Sequence, residues 1–157
     1  MIVTFKDLAN VRKANQDKKI ILTSGTFDLF HVGHLSYLEQ VKAYGDIMLV
    51  LLSGDRRVKK RKGPNRPIFS ESDRARILDS LKVVDYVMID HSGKDAFANQ
   101  ASYSEILAKL QPDYYVTDGH DPRFVTLLDK SKFIIAERTR INTSTTDIIN
   151  HIHTLEL

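Results

Sequence analysis

Short, nearly continuous apolar runs alternate along this chain with segments in which apolar residues recur every three or four positions. The apolar runs predict buried strands at IILT (20–23), DIMLVLLS (46–53), DYVMID (85–90), DYYVTD (113–118) and KFIIAE (132–137). The periodic segments predict helices at Lys6 to Ala14, at Gly33 to Tyr44, within SESDRARILDSL (70–81), around Ser104 to Leu110, and within TSTTDIINHIHTL (143–155). We expect Ser70 or Ser72 to cap the helix within 70–81. We expect Ser144 or a neighbouring threonine to cap the helix within 143–155.

Apolar strands that alternate with amphipathic helices indicate a parallel sheet covered on both faces. The predicted fold is therefore α/β: a Rossmann-like, doubly wound, parallel sheet of five strands with helices on both faces. In such folds, ligands bind where the strands end, at the point where the strand order reverses.

Length and composition favour one globular unit. The 157 residues are 42% hydrophobic and 27% charged, and we expect a single domain spanning 1–157. The chain has no cysteine, which excludes thiolate metal sites and nucleophiles. It has no apolar run of transmembrane length and no leader-like segment at its start, so we expect a cytoplasmic protein without membrane contact.

The basic residues are concentrated in one segment. The net charge is +3, but RRVKKRKGPNR, from Arg56 to Arg66, holds seven basic residues in eleven and no acid. We expect this segment to form an exposed loop, and a block of this kind binds nucleic acid, a membrane surface or a polyphosphate. It lacks the interleaved aromatic residues that stack on bases, which argues against a nucleic-acid partner.

Candidate chemistry lies directly after the first predicted strand, in GTFDLFHVGH (25–34). A helix N-terminus at this point offers free backbone N–H groups and a partial positive charge, which together suit a phosphate. Gly33 leaves room for a close approach, and His31 and His34 can donate hydrogen bonds to phosphate oxygens. Phe27 is expected to pack beneath the turn, and Asp28 to orient the loop.

The pattern G-x-F-D-x-x-H-x-G-H in this segment resembles the signature of the cytidylyltransferase-like nucleotidyltransferases. Three further segments are similar to motifs of that family: SGDRRVKKRKG (53–63), RPIFSESDRARIL (66–78) and NTSTTDII (142–149). The resemblance implies catalytic roles for His31, His34, Lys62 and Arg74. It implies nucleotide binding by Gly25, Thr26, Phe27, Gly33, Asp118, Arg138, Ser144, Thr145 and Thr146. Asp28 and Asp55 are expected to meet the acceptor, and no residue is expected to be a dedicated metal ligand.

Two branches of the family remain open. The leading helix, HVGHLSYLEQ and KGPNRP resemble the nucleotidyltransferase domain of ADP-heptose synthases, which use ATP and a heptose 1-phosphate. ERTRINTSTT (137–146) instead resembles the R-T-x-G-I-S-T-T motif of glycerol-3-phosphate cytidylyltransferases, which use CTP, although it is one residue longer and has no glycine before the isoleucine. VTDGHDPRF (116–124) departs from both branches, so the base and the acceptor stay undecided between them, with ATP and a sugar 1-phosphate favoured.

The resemblance implies transfer of a nucleotidyl group from ATP or CTP to a phosphorylated small molecule, with release of pyrophosphate. Mg²⁺ is expected on the nucleotide phosphates, because this ion keeps several waters and few protein ligands. The partners are then a nucleoside triphosphate and its acceptor, with a homodimer left open. Two other functions remain as alternatives: a catalytically inactive nucleotide-binding regulator and, ranked last, an RNA-binding module using the segment 56–66. A regulator without catalysis would not need the intact histidine pair, Lys62 and the S-T-T segment, which argues against the first alternative.

Overall fold

The computed structural model describes residues 1–91, 102–119, 127–136 and 144–155. Its strands are β1 (Ile2–Val3), β2 (Ile20–Gly25), β3 (Ile47–Ser53), β4 (Tyr86–Asp90), β5 (Tyr114–Thr117) and β6 (Phe133–Ile135). Its α-helices are α1 (Leu8–Ala14), α2 (Val32–Lys42), α3 (Asp55–Lys62), α4 (Glu71–Asp79), α5 (Tyr103–Leu110) and α6 (Thr145–Thr154). Short 3₁₀ turns at Phe5–Asp7 and Lys130–Lys132 precede α1 and β6.

The strands form one parallel sheet in the order β1-β4-β3-β2-β5-β6. From β2 the chain adds β3 and β4 on one side, and it then crosses back to place β5 on the other side of β2. The strand order therefore reverses at β2, and the crevice for a ligand is expected at the carboxyl end of this strand. This topology confirms the predicted doubly wound α/β fold.

The strand count differs from the prediction by one. The sheet has six strands among the described residues rather than five, because Ile2–Val3 pairs with Val87 and Met88 of β4. Two residues are too few to show the alternation by which a strand is recognised in a sequence.

Two apolar cores lie on opposite faces of the sheet. One joins α1 and α5 to alternate strand residues such as Ile20, Leu22 and Leu49. The other joins α2 and α4 to the residues between them, such as Ile21 and Met48. Since neighbouring residues of a strand point to opposite faces, both faces of β2 and β3 need apolar side chains, which explains their continuous apolar runs.

The basic segment is mostly helical, which corrects the predicted loop. Gly54 precedes α3, Asp55 lies in its first turn, and Gly63, with a φ of +98°, ends it. Arginine and lysine are good helix formers, and the fully buried Val58 fastens this helix to the body of the protein. Only the residues from Gly63 to Arg66 remain as the loop that was expected over the whole segment.

Ser70 caps α4 by accepting a hydrogen bond from the backbone N–H of Asp73, and Ser144 caps α6 by accepting one from that of Asp147. In the described part of the chain, no helix is long and apolar enough to cross a bilayer.

Candidate active site

The turn from Thr26 to His31 connects the end of β2 to the start of α2, at the point where the strand order reverses. Phe27 and Leu29 adopt left-handed backbone conformations, with φ of 49° and 45°. The Phe27 ring folds back over Gly25, where an added Cβ would lie 2.5 Å from the ring atom Cε2. Glycine at 25 is therefore required by the packing of the turn, and Phe27 lies buried beneath it as expected.

His31 and His34 form a stacked pair at the N-terminus of α2. Their ring centroids are 3.9 Å apart with 27° between the planes. His31 is the N-cap residue, and its Nδ1 accepts a hydrogen bond from the backbone N–H of Gly33 at 3.1 Å. A neutral ring that accepts at Nδ1 carries its proton on Nε2, which makes Nε2 a donor. His34 packs against the rings of Phe27 and Phe30, at centroid distances of 5.4 and 5.5 Å.

Asp28 fastens this turn to two distant segments. Its buried carboxylate accepts two hydrogen bonds from Arg66, at 2.9 and 2.7 Å, and others from the backbone N–H groups of Ile68 and Phe69. Burial would raise the pKa of the Asp28 carboxyl, but these amide and guanidinium donors outweigh it and hold that pKa below its ordinary value. Its backbone carbonyl accepts a hydrogen bond from Thr145 Oγ1 at 2.7 Å.

These contacts favour the expected orienting role of Asp28. Both oxygens of this carboxylate already accept hydrogen bonds within the protein. Acceptor binding by the same carboxylate stays a prediction.

Arg74 lies under the turn with no solvent exposure. Its guanidinium donates to the backbone carbonyls of Thr26, Ser53 and Phe69, at 2.5, 2.9 and 3.0 Å, and to Asp55 Oδ1 at 2.7 Å. All three of its nitrogens thus donate within the protein, and they join the ends of β2 and β3 to the segment before α4. The geometry favours a positioning role for Arg74 over the predicted role as a catalytic group that faces the ligand.

The predicted acceptor residue Asp55 lies at the start of α3, at the end of β3. Its carboxylate pairs with Arg74, and its backbone N–H donates to Glu71 Oε2 at 2.6 Å. The preceding Gly54 allows α3 to begin close to β4, since an added Cβ would lie 3.0 Å from the carbonyl oxygen of Asp90. Asp55 therefore lies on the β3 side of the crevice, whereas the histidine pair lies on the β2 side.

The S-T-T segment, Ser144 to Thr146, meets the histidine turn. Ser144 and Asp147 form a reciprocal capping box at the N-terminus of α6. The hydrogen bond from Thr145 Oγ1 to the Asp28 carbonyl brings this N-terminus to the turn that carries His31. Two helix N-termini, those of α2 and α6, therefore approach one turn, and each carries a partial positive charge.

The remaining predicted site residues lie in different parts of the chain. Lys62 is exposed at the last position of α3, and Asp118 is half-buried just after β5. Arg138 lies outside the described residues. Within the described ranges, no group of three or more histidine, cysteine, aspartate or glutamate side chains could hold a metal ion.

Arg61 is exposed, as predicted for the basic segment, and it also contacts the turn after β2. Its Nη2 donates a hydrogen bond to Thr26 Oγ1, in the turn after β2, at 2.7 Å. A helical interpretation of the basic segment would have found it, since Arg57 and Arg61 are four residues apart and share a helix face.

The chain is similar to known proteins in family, in sequence and in fold. The family model described as Cytidylyltransferase-like matches residues 22–156. The Bifunctional protein HldE of Aliarcobacter butzleri (strain RM4018) is 41% identical over 120 residues, which are 75% of this chain and 24% of that protein. The protein of the same name from Helicobacter pylori (strain G27) is 45% identical over 108 residues, 69% of this chain and 23% of that protein. The chain thus spans about a quarter of the length of these curated relatives.

Two solved structures share the fold. The lipopolysaccharide core biosynthesis protein from Thermoplasma volcanium GSS1 superposes with a TM-score of 0.63 at 23% identity, covering 78% of this chain and 98% of that one. The pantoate-beta-alanine ligase from Francisella tularensis, complexed with beta-gamma ATP and beta-alanine, gives a TM-score of 0.58 at 17% identity, covering 99% of this chain and 78% of that one.

Proposed function

This chain belongs to the Cytidylyltransferase-like family, and from that premise we propose that it transfers a nucleotidyl group from ATP or CTP to a phosphorylated small molecule. The family that the motifs predicted is confirmed by the match over residues 22–156. The observation that carries the proposal is the stacked pair of His31 and His34 on the N-terminus of α2, with the N-terminus of α6 tethered to the same turn.

The proposed reaction is a single in-line displacement. An oxygen of the acceptor phosphate attacks the α-phosphorus of the nucleotide, and a new phosphorus–oxygen bond forms. The bond between the α-phosphorus and the bridging oxygen breaks, and its electron pair leaves on pyrophosphate. The acceptor phosphate is already ionised near neutral pH, so the step needs neither a general base nor a covalent intermediate.

The protein would accelerate this step by positioning and charge stabilisation. His31, whose Nδ1 accepts from the helix backbone, would donate from Nε2 to the phosphate oxygens. His34 is held by its neighbouring rings and would stabilise the charge that develops on the bridging oxygen. Lys62 would neutralise the triphosphate, and Ser144, Thr145 and Thr146 would hold the departing pyrophosphate.

Mg²⁺ remains part of the proposal as an ion that the nucleotide phosphates carry. Among the described residues, no group of three or more histidine, cysteine, aspartate or glutamate side chains could hold a metal ion, and an ion that the nucleotide carries requires none. When bound, the ion would neutralise phosphate charge. The protein groups named above would orient the phosphates with or without it.

The resemblance to the nucleotidyltransferase domain of ADP-heptose synthases favours ATP and a heptose 1-phosphate, and CTP with glycerol 3-phosphate is the alternative. We expect a base preference of at least ~10-fold, because one buried hydrogen bond to a base edge is worth about 1.4 kcal/mol. Calorimetric titration with ATP and with CTP measures it. Clearly tighter CTP binding would reverse the choice of branch and leave the reaction class unchanged.

The reaction class itself is tested by pyrophosphate release over a grid of nucleotides and acceptors. ATP and CTP are each combined with heptose 1-phosphate, glycerol 3-phosphate and other phosphorylated sugars. We expect release to require one nucleotide and one phosphorylated acceptor together. A protein that binds neither nucleotide would contradict the proposal, and one that binds nucleotide without turnover on any acceptor would support the regulator instead.

A further inference from the structure

Helix α3 presents two arginines on one face above the carboxyl ends of the strands. Arg57 and Arg61 are four residues apart, so their side chains leave the helix on the same side. Arg61 reaches Thr26 in the turn after β2. Arg57 extends instead toward α5, where its Nη1 donates to the hydroxyl oxygen of Tyr103 at 2.7 Å.

The Arg57 guanidinium is held in place by a relay of three side chains. It lies over the Tyr103 ring, 5.8 Å from the ring centroid, while the Tyr103 hydroxyl donates onward to Asp90 Oδ2 at 2.9 Å. Asp90 is the last residue of β4 and is 1% exposed. A buried carboxylate therefore fixes the tyrosine, and the tyrosine fixes one end of the guanidinium.

The opposite edge of the same guanidinium contains the Nε atom, which has no such partner in the described part of the chain. Arg57 Nε is buried and, among the residues that the structure describes, meets no hydrogen-bond acceptor. Nε and Nη2 form the edge with which arginine binds a carboxylate or phosphate through two parallel hydrogen bonds. Arg66 uses this edge on Asp28 in the same protein. A buried donor without an acceptor is unfavourable, so an oxyanion that displaces the atoms covering Nε would satisfy this donor.

We propose that Arg57 binds the phosphate group of the acceptor, in a subsite that Tyr103 and Asp90 hold in position. This inference rests on the proposed function, which requires a phosphorylated acceptor. The relevant chemistry is that of a terminal phosphate group, which either the monoester of the acceptor or the triphosphate of the nucleotide could supply.

The position of the relay favours the acceptor over the nucleotide. Asp90 ends β4, and β4 lies two strands from β2, about 10 Å along the sheet. The histidine pair and the N-terminus of α6 meet at the turn after β2. The proposed reaction would leave the pyrophosphate there. In-line displacement needs the attacking phosphate and the leaving group on opposite sides of the α-phosphorus. An anion site displaced from the turn toward β4 satisfies that requirement.

The test measures binding of inorganic phosphate by calorimetry, with and without a saturating α,β-methylene analogue of ATP or CTP that cannot release pyrophosphate. The analogue occupies the nucleotide phosphate sites, so that any remaining phosphate binding reports the acceptor subsite. The test variant is Arg57→Gln. The matched control is Lys59→Gln, which removes one positive charge from an exposed position of the same helix. Tyr103→Phe removes the hydroxyl that holds Nη1 and that also donates to Asp90.

We expect Arg57→Gln to raise the Kd for phosphate at least ~10-fold in the analogue-bound protein, with less than ~3-fold change in the Kd for the analogue. Lys59→Gln should leave both values within ~3-fold, since an exposed charge is screened. Tyr103→Phe should raise the Kd for phosphate by ~3-fold or more in protein that circular dichroism shows to be folded. Its melting temperature should fall, because the buried Asp90 loses a hydrogen-bond donor. This variant decides the matter if Arg57→Gln fails to fold.

Several results would overturn this assignment. Phosphate binding that is absent from the wild type, or equal in the wild type and Arg57→Gln, would exclude the subsite. An equally large loss of analogue binding would assign the arginine to the triphosphate instead. Failure of the proposed function would look different, because the wild type would then bind no nucleotide analogue at all while the phosphate titration remains interpretable.

Discussion

The turn after β2 and the helix after β3 both face the crevice at the carboxyl ends of the strands, yet they are built in opposite ways. In the turn, Thr26, Phe27 and Asp28 are all less than a tenth exposed, and buried polar contacts hold it from several directions. In the last turn of α3, every residue from Lys59 to Lys62 is exposed. The first region is fixed before a ligand arrives, whereas the second supplies charge on side chains that water screens.

This difference implies a graded series of mutational effects. Changes that loosen the turn should impair both stability and turnover. Changes to its histidines should impair turnover alone, and changes in the last turn of α3 should have the smallest effects.

The largest expected effect follows removal of the buried Arg74. Arg74→Met leaves Asp55 and three backbone carbonyls without their donor, and we expect a loss of about 3–5 kcal/mol in the free energy of unfolding. Urea denaturation measures it, with Arg76→Met as the control because Arg76 is exposed on the same helix. A loss below ~1 kcal/mol would show that Arg74 does not fasten the turn, and would return it to the predicted catalytic role.

Next come the stacked histidines. His34→Ala, and separately His31→Ala, should lower kcat about 100-fold, because a preorganised donor to developing charge is worth roughly 3 kcal/mol. The fold, followed by circular dichroism, should persist. His153→Ala, at an exposed position of α6, serves as the control. Turnover at the wild-type rate in either active-site variant would contradict the assignment of the site.

Asp28 should link the stability of the turn to pH. Asp28→Asn leaves Arg66 without its carboxylate, and we expect a loss of roughly 2–4 kcal/mol in the free energy of unfolding at neutral pH. The pKa of Asp28 is lowered by folding, so its contribution is fully present above the ordinary value of 3.8 and is lost as the pH falls through the folded value. The stability difference between the wild type and Asp28→Asn should therefore shrink below about pH 4. A constant difference across that range would show that the carboxylate charge does not hold the turn.

The smallest effects separate two lysines of α3. Lys62→Ala should weaken triphosphate binding clearly, while Lys59→Ala should change it by a few-fold at most, because screening limits the influence of a distant exposed charge. Nucleotide calorimetry on the two variants compares them directly. Equal losses would indicate a diffuse basic surface and would favour a nucleic-acid partner.

Local pattern was enough to predict the strand, the turn and the helix that carry His31 and His34, because the signals for all three lie within a few residues of one another. The partners of that turn could not be predicted, since they are distant in sequence: Arg66 is 38 residues from Asp28, and Thr145 is 117 residues away. Arg74 was predicted to face the site, but no local pattern shows that a buried arginine will donate to backbone carbonyls and to Asp55.

The prediction of a loop for the basic segment was wrong for a different reason. A run of like charges was interpreted as a solvated loop, although the run contains one apolar residue, Val58. This side chain is fully buried, and its packing holds the helix against the rest of the protein. Once the helix exists, Arg57 and Arg61 share a face toward the crevice. Charge composition alone does not contain that information.

The central claim is that a nucleotidyl group moves to a phosphorylated acceptor at the turn after β2. Nucleotide labelled with radioactive phosphorus, at the α-position in one incubation with protein and acceptor and at the γ-position in another, tests it most directly. We expect the α-label to appear in the acceptor product and the γ-label to leave in pyrophosphate. Both rates should fall about 100-fold in His34→Ala. Transfer of the γ-label to the acceptor, or labelling that is unchanged in His34→Ala, would contradict the account.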